Sequence, residues 1–341
     1  MRRISTLALG AAALALVCGC ARSPQKLYVY NWSYYIPTPV LEKFEQRFKV
    51  KLVYDLYSSN EEMYAKLKAG GSGYDICFPS GDFVSIMIKE GMLLPIDKAR
   101  VPNFKYIDEM VVGKSAFDPG CRYSVPYVMG GSGVAVNKKF VKQYDRSWDI
   151  FARTDLKGRM TMLDDMREVL GAALRTLGYS VNSTDTAQLR QARDKVAQWQ
   201  KNLLRYDAES FGKAFAAGEV WVVQCYAENV FTELEPAQKA DVEFFIPKEG
   251  GSAYIDNMVI LKDARNAGLA HTFINYIHEP AVYAEIADSL ALPSSNVEAT
   301  KVRTGKGNYE LAALAGSELK DDLGENVGLY DRIWQELRIG K

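Results

Sequence analysis

Aromatic side chains are concentrated in one short segment near the start of the chain, residues 31–37 (NWSYYIP). The segment follows a strand-like run, and its rings lack the spacing of a helix or strand core, which places them in a loop. Trp32 and Tyr35 either cap a sheet or line a domain interface, or they form a wall on which a ligand stacks. Because ring faces attract ammonium groups by about 0.5 to 2 kcal/mol each, the second interpretation predicts a cationic ligand.

Acidic side chains precede the apolar run 169–177, with Asp165 and Glu168 spaced to lie on one side of the first turn of a helix. One interpretation is structural, since carboxylates stabilise a helix N-terminus by capping and through the helix dipole. The other is ligand binding. One cap needs only one or two carboxylates, so Glu168 is the residue that this pattern leaves available for a ligand.

A third carboxylate, Asp256, leads into the apolar run 257–261 and is therefore expected to be buried. A buried carboxylate needs a partner. That partner is either a structural Arg or Lys or a cationic ligand, and the residues alone leave both open.

The elements that must position these side chains alternate between strands and helices. Strand patterns occupy 27–30, 50–57, 74–78 and 220–225, and a helix is expected after each of the first three. Ser59 with Glu62 forms a capping box, and Ser80 is expected to cap the next helix. Such alternation predicts a parallel sheet flanked by helices, with ligand contacts beyond the carboxyl ends of the strands.

Length and composition fit two domain-sized lobes, since the chain has 341 residues of which 48% are hydrophobic and 25% charged. Lys plus Arg equals Asp plus Glu at 42 each, so no nucleic-acid partner is expected from the overall charge. Two glycine-rich segments, 70–73 and 130–133, lack the lysine or nucleophile of a phosphate loop or a serine-hydrolase turn and are predicted to be turns.

The first 19 residues have the pattern of an export signal, with Arg2 and Arg3 before the apolar run 7–17, which is too short to span a bilayer. The run ends in VCGC, which resembles a bacterial lipoprotein signal that is cleaved before an acylated cysteine. We therefore predict lipidation of Cys20 and a tether over 20–26, with a plain secretory signal as the alternative.

Metal and cofactor sites are not expected. Cys77, Cys121 and Cys225 are widely spaced and permit at most one internal disulfide. The only histidines, His271 and His278, lie in a helical segment and are interpreted as structural or surface residues.

Beyond these patterns, the chain resembles the spermidine/putrescine-binding proteins of bacterial polyamine ABC transporters over nearly its whole mature length. The resemblance is carried in order by 30–37 (YNWSYYIP), 59–67 (SNEEMYAKL), 74–76 (YDI), 79–80 (PS), 89–92 (KEGM), 126–127 (PY), 164–169 (DDMREV), 247–251 (PKEGG) and 273–276 (FINY).

The resemblance implies a type II-like periplasmic-binding-protein fold, an α/β architecture with two lobes, each a β-sheet flanked by helices, and a ligand in the cleft between them. The expected N-terminal lobe comprises 27–133 plus 257–294, and the expected C-terminal lobe comprises 134–256 plus 295–341. It also implies ten ligand contacts. These are Trp32, Ser33, Tyr35, Ser80, Asp82, Asp165, Glu168, Tyr226, Tyr254 and Asp256.

Several positions depart from the family pattern. Asp82 and Leu292 stand where a spermidine-binding relative has aromatic residues, and a family glutamine near Glu325 has no clear counterpart. Asn229 lies near a position that is acidic in putrescine-preferring relatives, and the adjacent Glu228 either replaces that acid or faces solvent. The preferred polyamine is therefore left open.

The implied function is capture of spermidine or putrescine outside the cytoplasm and delivery to the permease of an ABC importer, without catalysis. The protein is expected on the periplasmic side of the membrane, held by the lipid on Cys20. Three alternatives are a hydrolase that uses Glu168 and Asp256 as a carboxylate pair, a binding protein for Fe(III) through Tyr34 and Tyr35, and one for a cationic amino acid.

Overall fold

The computed structural model describes residues 24–33, 35–70 and 73–339. The predicted export signal, the lipidation site at Cys20 and Tyr34 lie outside the described residues. None of the helices in the described part is both long and apolar enough to cross a bilayer.

Ten strands, thirteen α-helices and six short 3₁₀ helices make up the fold of the described residues. The strands are β1 (Lys26–Trp32), β2 (Lys51–Tyr57), β3 (Ile76–Cys77), β4 (Ser124–Asn137), β5 (Met160–Met162), β6 (Leu203–Tyr206), β7 (Val222–Tyr226), β8 (Val242–Phe245), β9 (Ser252–Ile260) and β10 (Glu318–Leu319). The helices are α1 (Thr38–Phe48), α2 (Asn60–Lys68), α3 (Gly81–Lys89), α4 (Glu109–Lys114), α5 (Met166–Thr176), α6 (Thr186–Gln200), α7 (Phe211–Ala216), α8 (Ala227–Phe231), α9 (Pro236–Lys239), α10 (Ala267–Ile277), α11 (Pro280–Leu290), α12 (Val297–Val302) and α13 (Val327–Ile339).

The strands form two sheets that share β4. Strands β2, β1 and β3 pair in parallel, and β9 joins β3 to the first half of β4 by antiparallel pairing. The second half of β4 pairs antiparallel with β7 and β8, and β5 and β6 extend the second sheet in parallel. Together with the flanking helices, this confirms the predicted two-lobed α/β fold. The residue bounds expected for the lobes stay a prediction.

The long antiparallel strands differ from the all-parallel sheet that the alternation predicts. Strand β4 runs for 14 residues, and all but the last are buried. The glycine-rich segment 130–133 lies inside this strand, so the prediction of a turn there is wrong. Glycine occurs here because neighbouring chains approach closely: a Cβ on Gly133 would meet the backbone carbonyl of Phe245.

The helix predictions based on apolar spacing are largely confirmed. Helix α6 buries Leu189, Ala192, Val196 and Trp199, as the spacing indicates. In α2, the Ser59 side chain accepts a hydrogen bond from the Glu62 amide, but Glu62 itself accepts from Ser58 rather than closing the capping box on Ser59.

The C-terminal segment returns to the junction of the two sheets. Strand β10 pairs with the first residues of β9, and Glu318 bonds to Arg175 of α5 through a 2.6 Å ion pair. After β10 the chain continues into α13, which packs on α5 and α6. Residues 318–320 are thereby fixed between β9 and α5.

Gly133→Ala tests the close approach at the shared strand. The added methyl group must displace backbone, so we expect the free energy of unfolding to fall by about 1 to 3 kcal/mol. Gly113→Ala in α4 is the matched control, because its Cβ meets no atom within 4 Å and alanine favours a helix by about 0.5 to 1 kcal/mol. Urea denaturation measures both variants, and equal stabilities would contradict the packing argument.

Candidate functional site

A cavity of about 880 Å³ opens beside the junction of the two sheets. It receives side chains from the carboxyl ends of β1 and β7, from the start of α3, from β9 and from the segment after β10. Its lining comprises Trp32, Ser33, Tyr35, Ser58, Asn60, Ser80, Gly81, Asp82, Phe117, Tyr226, Glu228, Asn229, Thr232, Glu233, Ala253, Tyr254, Ile255, Asp256, Ser289, Leu290, Leu292, Leu319 and Lys320.

Asp256 on β9 is the most deeply placed carboxylate of the lining, with 5% of its surface exposed. Its oxygens accept hydrogen bonds from the hydroxyls of Ser80, at 2.5 Å, and Tyr35. Among the described residues it forms no ion pair. Burial raises the pKa of Asp256 to about 6, against the opposing effect of the two hydroxyl donors.

Ser80, at the start of α3, donates one of the two hydrogen bonds that Asp256 accepts. It occupies the N-cap position of α3, as predicted, but its side chain makes no capping hydrogen bond. Instead its hydroxyl donates to Asp256 and accepts from the amide of Asn60 at 3.0 Å, while Asn60 also accepts from the Ser80 backbone N–H. The Ser80 hydroxyl therefore binds the carboxylate of Asp256 in the cavity rather than a backbone N–H group at the start of α3.

The aromatic side chains stand on both sides of the cavity. On one side, the indole N–H of Trp32 donates to the Phe78 carbonyl at 2.8 Å, which fixes the ring. On the other, the rings of Tyr226 and Tyr254 meet edge to face at 5.9 Å between centroids. Tyr254 packs directly over Gly130 of β4, where any Cβ would overlap its ring.

Two more carboxylates, the half-buried Asp82 and Glu228, face the cavity without an ion pair to any described residue. Asp82 lies in the first turn of α3, and burial raises its pKa although Lys320 lowers it. Glu228 lies in the first turn of α8 and accepts a long hydrogen bond of 3.4 Å from Tyr254. Burial raises the pKa of Glu228 to about 7, with a smaller contribution from the charge of Asp256. Each would gain from a nearby cation.

Glu168 differs from these three because the protein supplies its counter-ion. The ammonium of Lys320 lies 2.6 Å from Glu168, which also accepts from the hydroxyls of Ser132 at 2.5 Å and Tyr226 at 3.0 Å. Burial is the largest single effect and opposes its charge, but Lys320 and the hydroxyls of Ser132 and Tyr226 together outweigh burial and lower the pKa of Glu168. Glu168 therefore has an ion-pair partner within the protein, whereas the sequence pattern left it available for a ligand.

Asp165 serves as the N-cap of α5. One oxygen of its carboxylate accepts from the backbone N–H groups of Arg167 and Glu168, at 2.8 and 3.1 Å. The side chain is thus engaged in the structural role that the sequence left open. Whether it also contacts ligand stays a prediction.

Of the ten side chains predicted to contact ligand, eight line the cavity. Asp165 and Glu168 do not; Lys320 lies between Glu168 and the open space. Among the unsettled positions, Glu228, Asn229 and Leu292 belong to the lining, whereas Glu325 is exposed in the turn before α13. The sequence-based reasoning missed Asn60, Phe117 and Lys320, because no local pattern distinguishes a lysine that follows a short strand.

The cysteines and histidines lie apart from the cavity lining. Cys77, Cys121 and Cys225 are buried free thiols, so none of the three forms a disulfide. His278 stacks on Tyr283 in the core, where burial lowers its pKa to about 4. No group of three or more potential metal-binding residues occurs within 24–33, 35–70 and 73–339.

The sequence is similar to a described protein family and to characterised relatives. The model of the family described as bacterial extracellular solute-binding protein matches residues 40–312. The spermidine/putrescine-binding periplasmic protein of Salmonella typhimurium is 33% identical, covering 98% of both chains. A putrescine/cadaverine-binding protein of Pseudomonas aeruginosa is also 33% identical, again covering 98% of both chains.

Solved structures show the same similarity. The Tp0655 (TpPotD) lipoprotein of Treponema pallidum superposes with a TM-score of 0.88 at 45% identity, covering 92% of this chain and 100% of that one. The spermidine/putrescine substrate-binding protein PotD of Streptococcus pneumoniae superposes with a TM-score of 0.86 at 27% identity, covering 92% and 99%.

Substitution of Asp165 separates capping from ligand contact. Asp165→Ala removes the cap and is expected to lower the free energy of unfolding by about 1 kcal/mol, whereas Asp165→Asn keeps an acceptor and should cost less. If capping is its only role, Asp165→Asn also leaves ligand affinity unchanged. Chemical denaturation and calorimetric titration of both variants measure the two effects, and a large loss of affinity in Asp165→Asn would establish a direct charge contribution.

Proposed function

The chain belongs to the bacterial extracellular solute-binding protein family, and we propose that it captures a linear polyamine in the cavity beside β9 and delivers it to an ABC importer. The named ligands of the relatives, spermidine, putrescine and cadaverine, are all linear amines. Binding involves no covalent chemistry. Aromatic faces contact the methylene chain, and carboxylates pair with the ammonium groups.

The observation that carries this proposal is that the buried carboxylate of Asp256 has no ion-pair partner among the described residues. Its carboxylate is buried, has only neutral hydroxyl donors and forms no ion pair with a described residue. An uncompensated buried charge costs several kcal/mol, and a ligand ammonium placed against it recovers much of that cost. A neutral ligand such as a sugar would leave the carboxylate uncompensated, so the same feature supports selectivity for cations.

The aromatic lining supports a ligand with an apolar chain rather than a compact cation. Trp32 and Tyr35 lie on the β1 side of the cavity, and Tyr226 and Tyr254 lie on the β7 and β9 side. Methylene groups placed between such rings are removed from water, which contributes about 25 cal/mol for each Å² buried. The spacing of charges between apolar segments is the pattern of a polyamine.

The setting of this activity is also a proposal. The S. typhimurium relative is named a periplasmic protein, and the T. pallidum structure is described as a lipoprotein. We propose that the export signal is removed before Cys20 and that a lipid on Cys20 holds the protein at the membrane through residues 20–26. The lobes 27–133 plus 257–294 and 134–256 plus 295–341 would then close on the ligand and present it to the permease.

Isothermal titration calorimetry with putrescine, cadaverine, spermidine and spermine tests the ligand class. The neutral 1,4-butanediol has the chain length of putrescine without its charges and is the matched control ligand. We expect heat and saturation with at least one polyamine and none with the diol. Absence of binding by all four amines would refute the proposal, and equal binding of the diol would refute the role of charge.

Asp256→Asn is expected to weaken polyamine binding by at least tenfold, about 1.4 kcal/mol, because the amide keeps the shape but not the charge opposite the ammonium. Asp263→Asn is the control, since it removes the same charge from an exposed position just after β9. An affinity for Asp256→Asn within twofold of the wild type, measured by the same titration, would assign this carboxylate a structural role.

Affinity should depend on pH through the two carboxyls with raised pKa values. Asp256, with a pKa of about 6, and Glu228, with a pKa of about 7, attract an ammonium only when ionised. Binding is therefore fully developed above about pH 8 and is lost as the pH falls through these values, by at least about tenfold between pH 8 and pH 5.5. Titrations across this range measure the profile, which Asp256→Asn should flatten; a profile unchanged by that substitution would contradict the assignment.

A further inference from the structure

We propose that Lys320 is a built-in substitute for one ligand ammonium, so that the cavity selects a diamine over longer polyamines; this inference rests on the proposed function. Its ammonium is 2.6 Å from Glu168 and its side chain lines the cavity. Glu168 is thereby neutralised by the protein itself. A ligand that reaches this end of the cavity meets a cation instead of a free carboxylate.

The position of Lys320 is fixed by its neighbours in the chain. Asn182 bonds to the backbone on both sides of it, donating to the Leu319 carbonyl at 2.8 Å and accepting from the Asp321 N–H at 2.9 Å. Two residues before it, Glu318 pairs with Arg175 of α5. Since Glu168 is also on α5, the same helix holds both the acid and the segment that delivers its cation.

The environment of Glu168 leaves no acceptor site that requires a ligand. Its two oxygens already accept from Lys320, Ser132 and Tyr226. With 1% of its side chain exposed, compared with 25% for Lys320, the acid lies behind the lysine rather than beside it. Displacing Lys320 would break an ion pair between largely buried groups and leave the buried charge of Glu168 without a partner, which is strongly unfavourable.

The charges that remain match a dication. With Glu168 and Lys320 compensating each other, three buried or half-buried carboxylates still face the cavity without an ion pair in the described structure, Asp82, Glu228 and Asp256, while a fourth, Glu233, is exposed to solvent at the rim. Glu228 is partly protonated near neutral pH, since burial raises its pKa to about 7. A third ligand ammonium placed near Lys320 would add like-charge repulsion without gaining a free carboxylate. Putrescine carries two positive charges and spermidine three.

Removal of the lysine charge should reverse the selection. Lys320→Met keeps the length of the aliphatic chain and leaves Glu168 without a cation, so a ligand ammonium can take the vacated place. We expect the wild type to bind putrescine more tightly than spermidine, and Lys320→Met to shift the ratio of the two affinities towards spermidine by at least tenfold. Titration of the full-length wild type and variant with both amines measures the ratio.

Three further variants isolate the cause. Glu168→Gln combined with Lys320→Met removes the uncovered acid, so the shift towards spermidine should disappear. Lys320→Gln keeps a donor to Glu168 without the charge and serves if Lys320→Met fails to fold, with a shift in the same direction. Lys306→Met, an exposed lysine, controls for the change in net charge and should leave the ratio unchanged.

The outcomes distinguish this inference from the proposed function. No binding of either amine by the wild type refutes the proposed function itself. Binding of both amines with a wild-type preference for spermidine, or with a ratio that Lys320→Met leaves within twofold, refutes only the role of Lys320. An equal gain in affinity for both amines in Lys320→Met also refutes it, because the lysine would then act as a general competitor rather than a selector.

Discussion

The cost of placing carboxylates in a site with little water is the constraint on which the cavity depends. Besides the exposed Glu233, four carboxylates lie in the lining or directly behind it, and the protein compensates them differently. Glu168 receives a lysine and two hydroxyls, whereas Asp256 receives hydroxyls alone. Asp82 and Glu228 have no ion pair with any described residue. Partial compensation of this kind leaves the fold intact while keeping a strong preference for a cation.

The pairing of strands β4 and β9 brings the carboxylates and rings of the site close together. They pair with each other along most of the length of β9, and β4 continues from the first sheet into the second. Asp256 and Tyr254 are therefore carried by the strand next to the crossing, close to residues from the carboxyl ends of β1 and β7. Glycines at 130 and 133 admit the Tyr254 ring and the Phe245 backbone, so their small size serves packing rather than a turn.

Polar residues that ordinarily stabilise helices have divided roles around the cavity. Asp165 caps α5, whereas Ser80 occupies the equivalent position of α3 and donates to Asp256 instead. A helix start without its side-chain cap gives up about 1 kcal/mol of local stability. The hydrogen bond from Ser80 to a buried charged acceptor recovers about 1.5 to 3 kcal/mol, which explains why the fold tolerates the missing cap.

The sequence by itself determined the alternation of strands and helices, the buried stripe of α6 and most of the ring and carboxylate positions, because these depend on local periodicity and on motifs in order along the chain. The tertiary structure alone decided how the charges are compensated. Glu168 and Lys320 are separated by 152 residues, and only the return of β10 to β9 brings them to 2.6 Å. Pairing over such a separation leaves no periodic signal in either segment, so the sequence indicates an acid available for ligand where the folded protein has an ion pair.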